Sequence, residues 1–370
     1  MALRNMKQTF RQTRRADRDA IEQLNAVLDA IREHEAELAP CLPAIGWTDN
    51  SDDSQSGHIQ LFVREAMVSR LDEAKRSGER VMQTEISKAL ALGETRRLAN
   101  APTSAALKLL VRDFPHFVEV LDLIQQRASL ARITPGQVFF LPPLLLSGPP
   151  GIGKTAFAES LAACLQQPMK RVDVAAATAS FALAGSHESW ATARHGAIWS
   201  LLQAPSASGV LLLDEIDKAG GGKYPILGPL YSLLEPVSAQ HFQDEYMQVA
   251  VNASHLLVIA TCNDADLMES ALRSRFRVVN VPLPNKGQMS AIAGSVYRRL
   301  RAGRPWGSVF PSELPMAIIE RLTDFTPREL SRLIEEALGR AASAGRLHLI
   351  ADDIDAVATS AKNKPKIGFV

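Results

Sequence analysis

The spacing of apolar residues changes close to residue 100 of this 370-residue chain. Before that point, apolar residues recur every three or four positions, which is typical of helices that bury one face. Such patterns cover residues 21–38, 59–75 and 84–92, and a polar, acidic segment at 47–57 separates the first two. We therefore expect residues 1–104 to form an N-terminal helical region, whose chemistry the sequence does not indicate.

From residue 105 onward, short apolar runs alternate with longer segments of helical period. Several of the runs are apolar at consecutive positions, as expected for parallel strands that helices cover on both faces. These strand candidates lie at residues 144–147, 171–174, 210–214, 256–261 and 278–281. From residue 285 the period is helical only. The pattern predicts an α/β domain with a parallel sheet at 105–284, followed by a helical lid domain with a short tail at 285–370.

A glycine-rich segment directly follows the first strand candidate and precedes a helical pattern. It reads Gly148-Pro-Pro-Gly-Ile-Gly-Lys-Thr155 and matches G-x-x-x-x-G-K-[ST], a loop whose backbone N–H groups surround phosphate oxygens. Lys154 can reach the β- and γ-phosphates of a nucleotide, and the Thr155 hydroxyl can bind Mg2+. A chance glycine-rich turn is the alternative. We predict that ATP and Mg2+ bind here, with contacts from Pro149, Pro150, Gly151, Ile152, Gly153, Lys154, Thr155 and Ala156.

Two acidic residues end the third strand candidate. Asp214 and Glu215 follow a run of apolar residues, so the strand delivers both to the carboxyl edge of the sheet, where open α/β sheets bind ligands. By itself, such a pair can simply cap a helix. Beside a phosphate-binding loop, Asp214 is predicted to hold Mg2+. Glu215 is predicted to orient and deprotonate the attacking water, a role typically worth about 100- to 10,000-fold in rate.

Together these motifs resemble the AAA+ module of the Lon family, over roughly residues 115–345. Two further stretches carry the resemblance, His241-Phe-Gln-Asp-Glu-Tyr-Met-Gln-Val249 and Leu257-Val-Ile-Ala-Thr-Cys-Asn-Asp264. The resemblance implies a P-loop NTPase fold that hydrolyses ATP. It also implies that Asn263, at the end of a strand, senses the γ-phosphate. An Asn that merely forms a turn after the strand is the alternative.

Several arginines match positions that contact nucleotide in such modules. The segment Leu272-Arg-Ser-Arg-Phe276 corresponds to the arginine finger that reaches the ATP of a neighbouring subunit. Arg275 matches this position best and Arg273 is second. A guanidinium suits the task because it stays charged and forks onto phosphate oxygens, whereas a solvated basic pair is the alternative. In the lid, the resemblance implies a nucleotide contact from Arg328, with Arg332 one turn further along as the alternative.

Trp190 corresponds to an aromatic residue that Lon-like modules carry on a loop lining the central pore. In the family, an aliphatic residue and a glycine usually follow, but here Ala191 and Thr192 stand there. The segment from His187 to His195 is polar, which fits an exposed loop better than a core. The resemblance therefore implies that Trp190 grips a substrate. A Trp buried beneath its own loop is the alternative.

The resemblance also implies a ring, because an arginine finger acts only where the ATP of another subunit receives it. We expect a hexamer of identical chains that uses ATP to remodel or unfold a protein substrate, with or without an adaptor. Lon proteases continue beyond the lid into a serine–lysine protease domain, and we expect none here. Two alternatives are a nucleic-acid motor or loader and an ATP-gated regulatory switch in a larger assembly.

Composition narrows the partners and the compartment. With 41 Lys and Arg against 40 Asp and Glu, the net charge is +1, so no general field attracts nucleic acid or an anionic membrane. No apolar run approaches the roughly 20 residues of a membrane span. Three scattered cysteines show no metal-ligand spacing and suit a reducing compartment. We expect a cytoplasmic protein that neither binds a membrane nor acts on nucleic acid.

Overall fold

The computed structural model describes residues 57–176, 179–187, 190, 193–219 and 226–362; of residues 135, 179 and 360–362 it describes the backbone only. The helix predicted at 21–38, nearly all of the polar segment at 47–57 and the C-terminal tail lie outside these residues. None of the helices within the described ranges is both long and apolar enough to cross a membrane.

The first described elements are a two-stranded antiparallel sheet and two helices. Strand β1 (His58–Gln60) pairs with β2 (Thr95–Arg97), and helices α1 (Arg64–Ser77) and α2 (Arg80–Ala91) lie between them in the sequence. The helix predicted from residue 59 therefore begins later than expected. Its first residues pair with β2 instead of joining the helix, and spacing alone did not distinguish the two.

The N-terminal elements share a hydrophobic cluster with one face of the central sheet. Leu61 and Phe62, in the extended segment before α1, are buried in it, and so is Ile86 of α2. On the sheet side, Leu211 and Leu213 belong to the same cluster. Full burial of an apolar side chain of this size contributes about 1.5–3 kcal/mol. The domain boundaries predicted at residues 104 and 284 stay predictions.

The α/β domain contains the predicted parallel sheet, whose five strands lie in the order β4 (Met169–Asp173), β5 (Val210–Asp214), β8 (Leu257–Cys262), β3 (Leu144–Ser147) and β9 (Arg277–Asn280). Its elements in chain order are α3 (Ser104–Asp113), α4 (Val118–Ile133), a 3-10 turn (Pro135–Gln137), β3 (Leu144–Ser147), α5 (Lys154–Cys164), β4 (Met169–Asp173), α6 (Ala179–Ala184), α7 (Ala197–Leu202), β5 (Val210–Asp214), a 3-10 turn (Ile216–Lys218), α8 (Leu227–Leu234), α9 (Pro236–Ala239), β6 (Phe242–Gln243), β7 (Ala250–Val251), β8 (Leu257–Cys262), a 3-10 turn (Ala265–Leu267), α10 (Ser270–Arg273) and β9 (Arg277–Asn280). The short strands β6 and β7 form a separate antiparallel pair.

The three central strands β3, β5 and β8 are buried along their whole length on both faces of the sheet, which explains why they are apolar at consecutive positions. Leu145 of β3 packs in one hydrophobic cluster, whereas its neighbours Leu144 and Leu146 pack in another. In β5, Leu211 packs in the same cluster as Leu145, whereas Leu212 packs in the other cluster. This alternation follows from the two-residue period of a strand. The helices on both faces leave the carboxyl ends of the strands as the open edge of the sheet.

The lid is a small helical unit with a hydrophobic cluster of its own. It contains α11 (Lys286–Gly303), a 3-10 turn (Gly307–Val309), α12 (Met316–Leu322), α13 (Pro327–Ser343) and α14 (Ala351–Lys362). Asn285 and Thr326 begin α11 and α13 with capping boxes, each accepting a hydrogen bond from the backbone of the third helical residue. Such a cap stabilises a helix by about 1 kcal/mol, so these two helix starts are set by local sequence.

Candidate functional site

A cavity of about 660 Å³ lies at the carboxyl edge of the sheet, beneath the lid. The loop between β3 and α5 forms one wall, and the ends of β5 and β8 contribute to it. Helices α11 and α13 of the lid form the opposite wall. The cavity is large enough for a nucleotide, since small-molecule sites usually measure about 300–1,000 Å³.

The loop between β3 and α5 depends on glycines. A side-chain carbon at Gly148 would lie 2.3 Å from the carbonyl oxygen of Val281, and Gly151 has a left-handed φ of 81°. Only glycine adopts such positions readily. Of the predicted nucleotide contacts, residues 150–156 all line the cavity. Pro149 is not among the lining residues, although its carbonyl oxygen accepts a hydrogen bond from Lys154 at 3.0 Å.

Lys154 is nearly buried at the floor of this loop, with 8% of its surface exposed. Its Nζ donates to the carbonyl oxygen of Gly148 at 2.6 Å and to Oδ1 of Asn263 at 3.3 Å. Burial lowers the pKa of Lys154, and the nearby Cys262 and Asp217 oppose that shift. A bound phosphate would favour the charged form of Lys154 further, because it would place an anion beside this nearly buried ammonium.

Asp214 is buried and is held from three sides. The Thr155 hydroxyl donates to its Oδ1 at 3.2 Å, and the Thr261 hydroxyl donates to the same oxygen at 2.5 Å. The guanidinium of Arg171 lies 2.5 Å from Oδ2. Two oxygen-bearing side chains that already meet, Thr155 and Asp214, fit a hard cation such as Mg2+. The structure thus brings the two predicted metal ligands together.

Glu215 adopts a left-handed conformation, with φ 57° and ψ 47°. This is a strained region for a residue other than glycine, and such strain concentrates at functional sites. The Glu215 backbone N–H donates to the Thr261 hydroxyl at 3.1 Å, which fixes the turn. The Glu215 carboxylate is partly exposed and lies 2.5 Å from Nζ of Lys218. Glu215 therefore faces the cavity from an ordered turn rather than from a flexible loop.

Asn263 reaches the other groups because β8 lies between β3 and β5. In addition to its contact with Lys154, its backbone N–H donates to Oδ2 of Asp217 at 3.1 Å. The sheet order therefore places Asn263 between the glycine-rich loop and the acidic strand end. All three segments line the cavity.

The lid contributes three arginines to the cavity. Arg328 lines it, and a side-chain carbon added at Gly151 would lie 3.1 Å from the Cβ of Arg328. Arg299 of α11 and Arg304, which directly follows α11, also line the cavity. Arg332, the alternative to Arg328, does not line the cavity and lies 3.7 Å from Glu336. The lid therefore places three arginines in the cavity wall, whereas the sequence predicted a nucleotide contact from Arg328 alone.

Sequence reasoning missed several of these residues. Arg171 and Lys218 contact the two predicted acids, and Arg299 stacks its guanidinium 5.0 Å from the ring centroid of Phe114. Burial lowers the pKa of Arg299. His116 is buried in the wall, 2.9 Å from the carbonyl oxygen of Ile152, and burial lowers its pKa. No local motif marks these positions, because each depends on strand order or on how the lid packs.

Arg273 and Arg275 do not line the cavity of their own chain. Arg273 forms an ion pair with Asp266 and donates to the carbonyl oxygen of Ala265 at 3.4 Å. Arg275 donates to the carbonyl oxygen of Ala271 at 2.9 Å. Both are partly exposed at the edge of the domain. Their position is compatible with a contact to another molecule, and their role stays a prediction.

Trp190 is 48% exposed, so the alternative of a buried Trp is wrong. Its ring centroid lies 5.5 Å from that of Phe181, and the angle between the two ring planes is 56°. Ala191 and Thr192, which replace the usual aliphatic residue and glycine, lie outside the described residues. A large apolar side chain that remains half exposed is a candidate contact surface.

A buried carboxylate holds the base of the segment that carries Trp190. Oδ2 of Asp244 accepts from the backbone N–H of Gly196 at 2.7 Å, and Oδ1 accepts from Tyr246 and Met247 at 3.0 and 3.1 Å. A side-chain carbon at Gly185 would lie 2.6 Å from Oδ1. Burial raises the pKa of Asp244 to about 6, although the three N–H donors oppose the shift. Asp244, which lies between β6 and β7, therefore anchors the Gly196 end of this segment by a hydrogen bond and lies close to Gly185 at the other end.

Comparison with known proteins agrees with this geometry. The family profile described as "ATPase family associated with various cellular activities (AAA)" matches residues 144–283. Residues 144–283 therefore match an AAA domain, and they contain the parallel sheet and the phosphate-binding loop described above. Within the class, the chain resembles Lon proteases over the AAA region.

Two relatives and two solved structures illustrate the similarity. A Lon protease of Lawsonia intracellularis is 28% identical over 190 residues, which is 51% of this chain and 23% of that protein. The peroxisomal Lon protease homolog 2 of Caenorhabditis elegans is 32% identical over 140 residues, 37% of this chain and 18% of that protein. The chain thus spans about a fifth of the length of these relatives.

Among solved structures, an S. cerevisiae Hsp104:casein complex in its extended conformation has a TM-score of 0.51 at 19% identity. That similarity covers 64% of this chain and 47% of the Hsp104 chain. The Thermotoga maritima RuvB Holliday junction branch migration motor has a TM-score of 0.43 at 17% identity, covering 66% of this chain and 68% of RuvB. At such identities the Hsp104 similarity concerns the fold.

Proposed function

We propose that this AAA+ ATPase is a Mg2+-dependent motor that assembles into a hexameric ring and remodels or unfolds a protein partner. The observation that supports hydrolysis most directly is the convergence of Lys154, Asp214, Glu215 and Asn263 at one cavity. These groups come from three separate segments, and the sheet order brings them to one edge. Among the described residues, the nearly buried Lys154 has carbonyl and amide oxygens but no carboxylate at hydrogen-bond distance, an arrangement that a purely structural cluster would have little reason to adopt.

In this proposal, the ATP phosphates lie against the backbone of residues 149–156, and Lys154 binds the β- and γ-phosphates. Thr155 and Asp214 hold Mg2+, which would neutralise charge on the phosphate oxygens. Arg171 already neutralises Asp214 in this structure, so it is the group that a bound cation would displace. Such electrostatic groups, fixed before the ligand arrives, contribute most when water is excluded.

The remaining roles follow the positions of the side chains. Glu215 orients and deprotonates the attacking water, after its carboxylate leaves Lys218. Asn263 contacts the γ-phosphate, since it already contacts Lys154. Arg328 contacts the phosphates from the lid, which would couple lid position to the nucleotide. Arg275, with Arg273 as the second choice, reaches the ATP of the neighbouring chain, and this need for a neighbour is the reason to propose a ring.

The choice of a protein partner rests on Trp190. Its half-exposed ring can contact many different peptide segments through apolar surface and dispersion. The near-neutral net charge of +1 does not favour a polyanion. The segment that carries Trp190 begins beyond β4, whose carboxyl end lies on the same edge as the nucleotide cavity. A conformational change at that edge could therefore be transmitted to the indole side chain of Trp190.

The test measures MgATP hydrolysis by the full chain alone, with a chemically unfolded protein, and with single- or double-stranded DNA. We expect the unfolded protein to stimulate turnover and DNA to have no effect. The Glu215→Gln form should retain the unfolded protein in the presence of ATP and release it in ADP. Stimulation by DNA alone would favour a nucleic-acid motor. Assembly controlled by nucleotide without any stimulation would favour a regulatory switch, and either result would overturn the proposal.

A further inference from the structure

Arg273 and Arg275 are two residues apart, yet their surroundings differ. Arg273 is neutralised by the carboxylate of Asp266. The guanidinium carbon of Arg275 instead lies 4.7 Å from the ring centroid of Tyr231. In the part of the chain that the structure describes, no carboxylate lies within ion-pair distance of Arg275. One arginine is therefore satisfied within its own chain, and the other keeps its charge available.

An aromatic face orients a guanidinium without cancelling its charge. The ring attracts the cation through its quadrupole and leaves the N–H groups at the rim of the guanidinium free to reach an anion. The single hydrogen bond to Ala271 fixes one end of Arg275. Its Nε is buried without a hydrogen-bond partner among the described residues. The ring and Ala271 thus hold this arginine in place even though one donor is unsatisfied.

Tyr231 is itself well fixed. It belongs to α8, whose Leu230 and Leu234 are buried in the same hydrophobic cluster as Ile216. Ile216 directly follows Glu215, so the cluster that supports α8 includes a residue next to the proposed base. The ring of Tyr231 packs against this cluster and therefore provides a supported face for the guanidinium of Arg275.

We propose that Tyr231 is a positioning residue for Arg275, holding the guanidinium ready for the γ-phosphate of ATP in the neighbouring chain. This inference rests on the proposed function, because it requires Arg275 to act in a second copy of the chain. Tyr231 does not line the nucleotide cavity of its own chain. Its effect passes through Arg275 alone, and this separates it from residues that support the fold in general.

The experiment compares Tyr231→Leu with Tyr231→Phe in the full chain. Tyr231→Leu removes the ring face and should lower kcat at saturating MgATP by about tenfold, within the roughly two- to thirtyfold that a cation–π contact supplies. KM for ATP and the melting temperature should stay unchanged. Tyr231→Phe keeps the face and should retain kcat within about twofold. Ser232→Ala, an exposed neighbour on the same helix, is the matched control.

Mixed assemblies show whether the effect acts between chains. Tyr231→Leu mixed with Glu215→Gln should regain activity, because some junctions combine a well-placed arginine with an intact base. The double variant Tyr231→Leu/Arg275→Ala should be no slower than Arg275→Ala alone. Additive loss in the double variant, or no recovery on mixing, would overturn the positioning role. If Tyr231→Leu fails to assemble, Tyr231→Met, which lacks a ring but keeps the volume, carries the same expectations.

The single variant Arg275→Ala separates the two levels of the argument. Full activity of Arg275→Ala would refute the proposed action of Arg275 in the neighbouring chain and the positioning role with it. An inactive Arg275→Ala beside a fully active Tyr231→Leu would refute the positioning role alone.

Discussion

The nucleotide cavity and the arginine edge, the segment that carries Arg273 and Arg275, position their charged side chains in different ways. In the cavity, Lys154 and Asp214 each have several partners from their own chain, so their positions are fixed before any ligand arrives. At the edge, the guanidinium of Arg275 is oriented by a ring and a carbonyl oxygen, and none of the described carboxylates lies within ion-pair distance of it. The difference indicates that a group acting within its chain can be ordered by polar partners. In the proposed mechanism, Arg275 acts on another chain and therefore needs to be ordered without being neutralised.

The largest effect is expected for the cavity side of this comparison. Lys154→Ala should abolish nucleotide binding and bring ATP hydrolysis below detection, because the buried cation facing the phosphates is lost. Glu215→Gln is the matched variant, and it should bind ATP normally while turnover falls about 100- to 10,000-fold. Titration with a fluorescent nucleotide, beside an ATPase assay, distinguishes the two. Normal binding by both variants, or by neither, would contradict these roles.

At the arginine edge, Arg275→Ala should bind ATP but hydrolyse it about 1,000-fold more slowly, the typical value of an arginine supplied by a neighbour. Arg273→Ala should have a much smaller effect, because Asp266 already neutralises Arg273. The measurements are nucleotide affinity and kcat for both variants at equal assembly. A larger loss of kcat for Arg273→Ala than for Arg275→Ala would show that Arg273 is the residue that acts on the neighbouring chain.

A smaller effect concerns the buried Asp244. Its folded-state pKa of about 6 exceeds the ordinary value, so between about pH 4 and 6 the unfolded chain has lost a proton that the folded chain keeps. Stability from this group is present at low pH and falls as the pH rises through 6. The free energy of unfolding of the wild type, relative to Asp244→Asn, should decrease by about 3 kcal/mol over that window.

Denaturant unfolding at a series of pH values measures this difference. Glu245→Gln, which removes an exposed carboxylate on the adjacent residue, is the control and should show no comparable change. A difference between wild type and Asp244→Asn that stays constant from pH 4 to 7 would show that the Asp244 carboxyl titrates normally.

The smallest expected effect on stability is that of Trp190→Ala. Because the side chain is 48% exposed, its loss should change the free energy of unfolding by less than about 0.5 kcal/mol. It should nevertheless abolish stimulation of the ATPase by an unfolded protein. Trp199→Ala is the contrasting variant, since Trp199 is 2% exposed and its truncation should cost about 3–5 kcal/mol. Unchanged stimulation in Trp190→Ala would remove the support for a protein substrate.

The sequence by itself determined the features that depend on neighbours along the chain. The glycine-rich loop, the apolar strand before Asp214 and the helical lid were all predictable, because phosphate binding, two-sided burial and helical period each have a local pattern. The prediction failed at residue 59, where a short strand and a helix have similar apolar spacing. There, pairing with residues 95–97, remote in sequence, decided the structure.

Tertiary structure alone decided which distant groups meet. The insertion of β8 between β3 and β5 brings Asn263 to Lys154, and the pairing of β4 with β5 brings Arg171 to Asp214. The contact between Tyr231 and Arg275 likewise joins a helix and a loop that are far apart in the chain. Strand order and helix packing are set by the burial of many side chains at once, so no short motif encodes them.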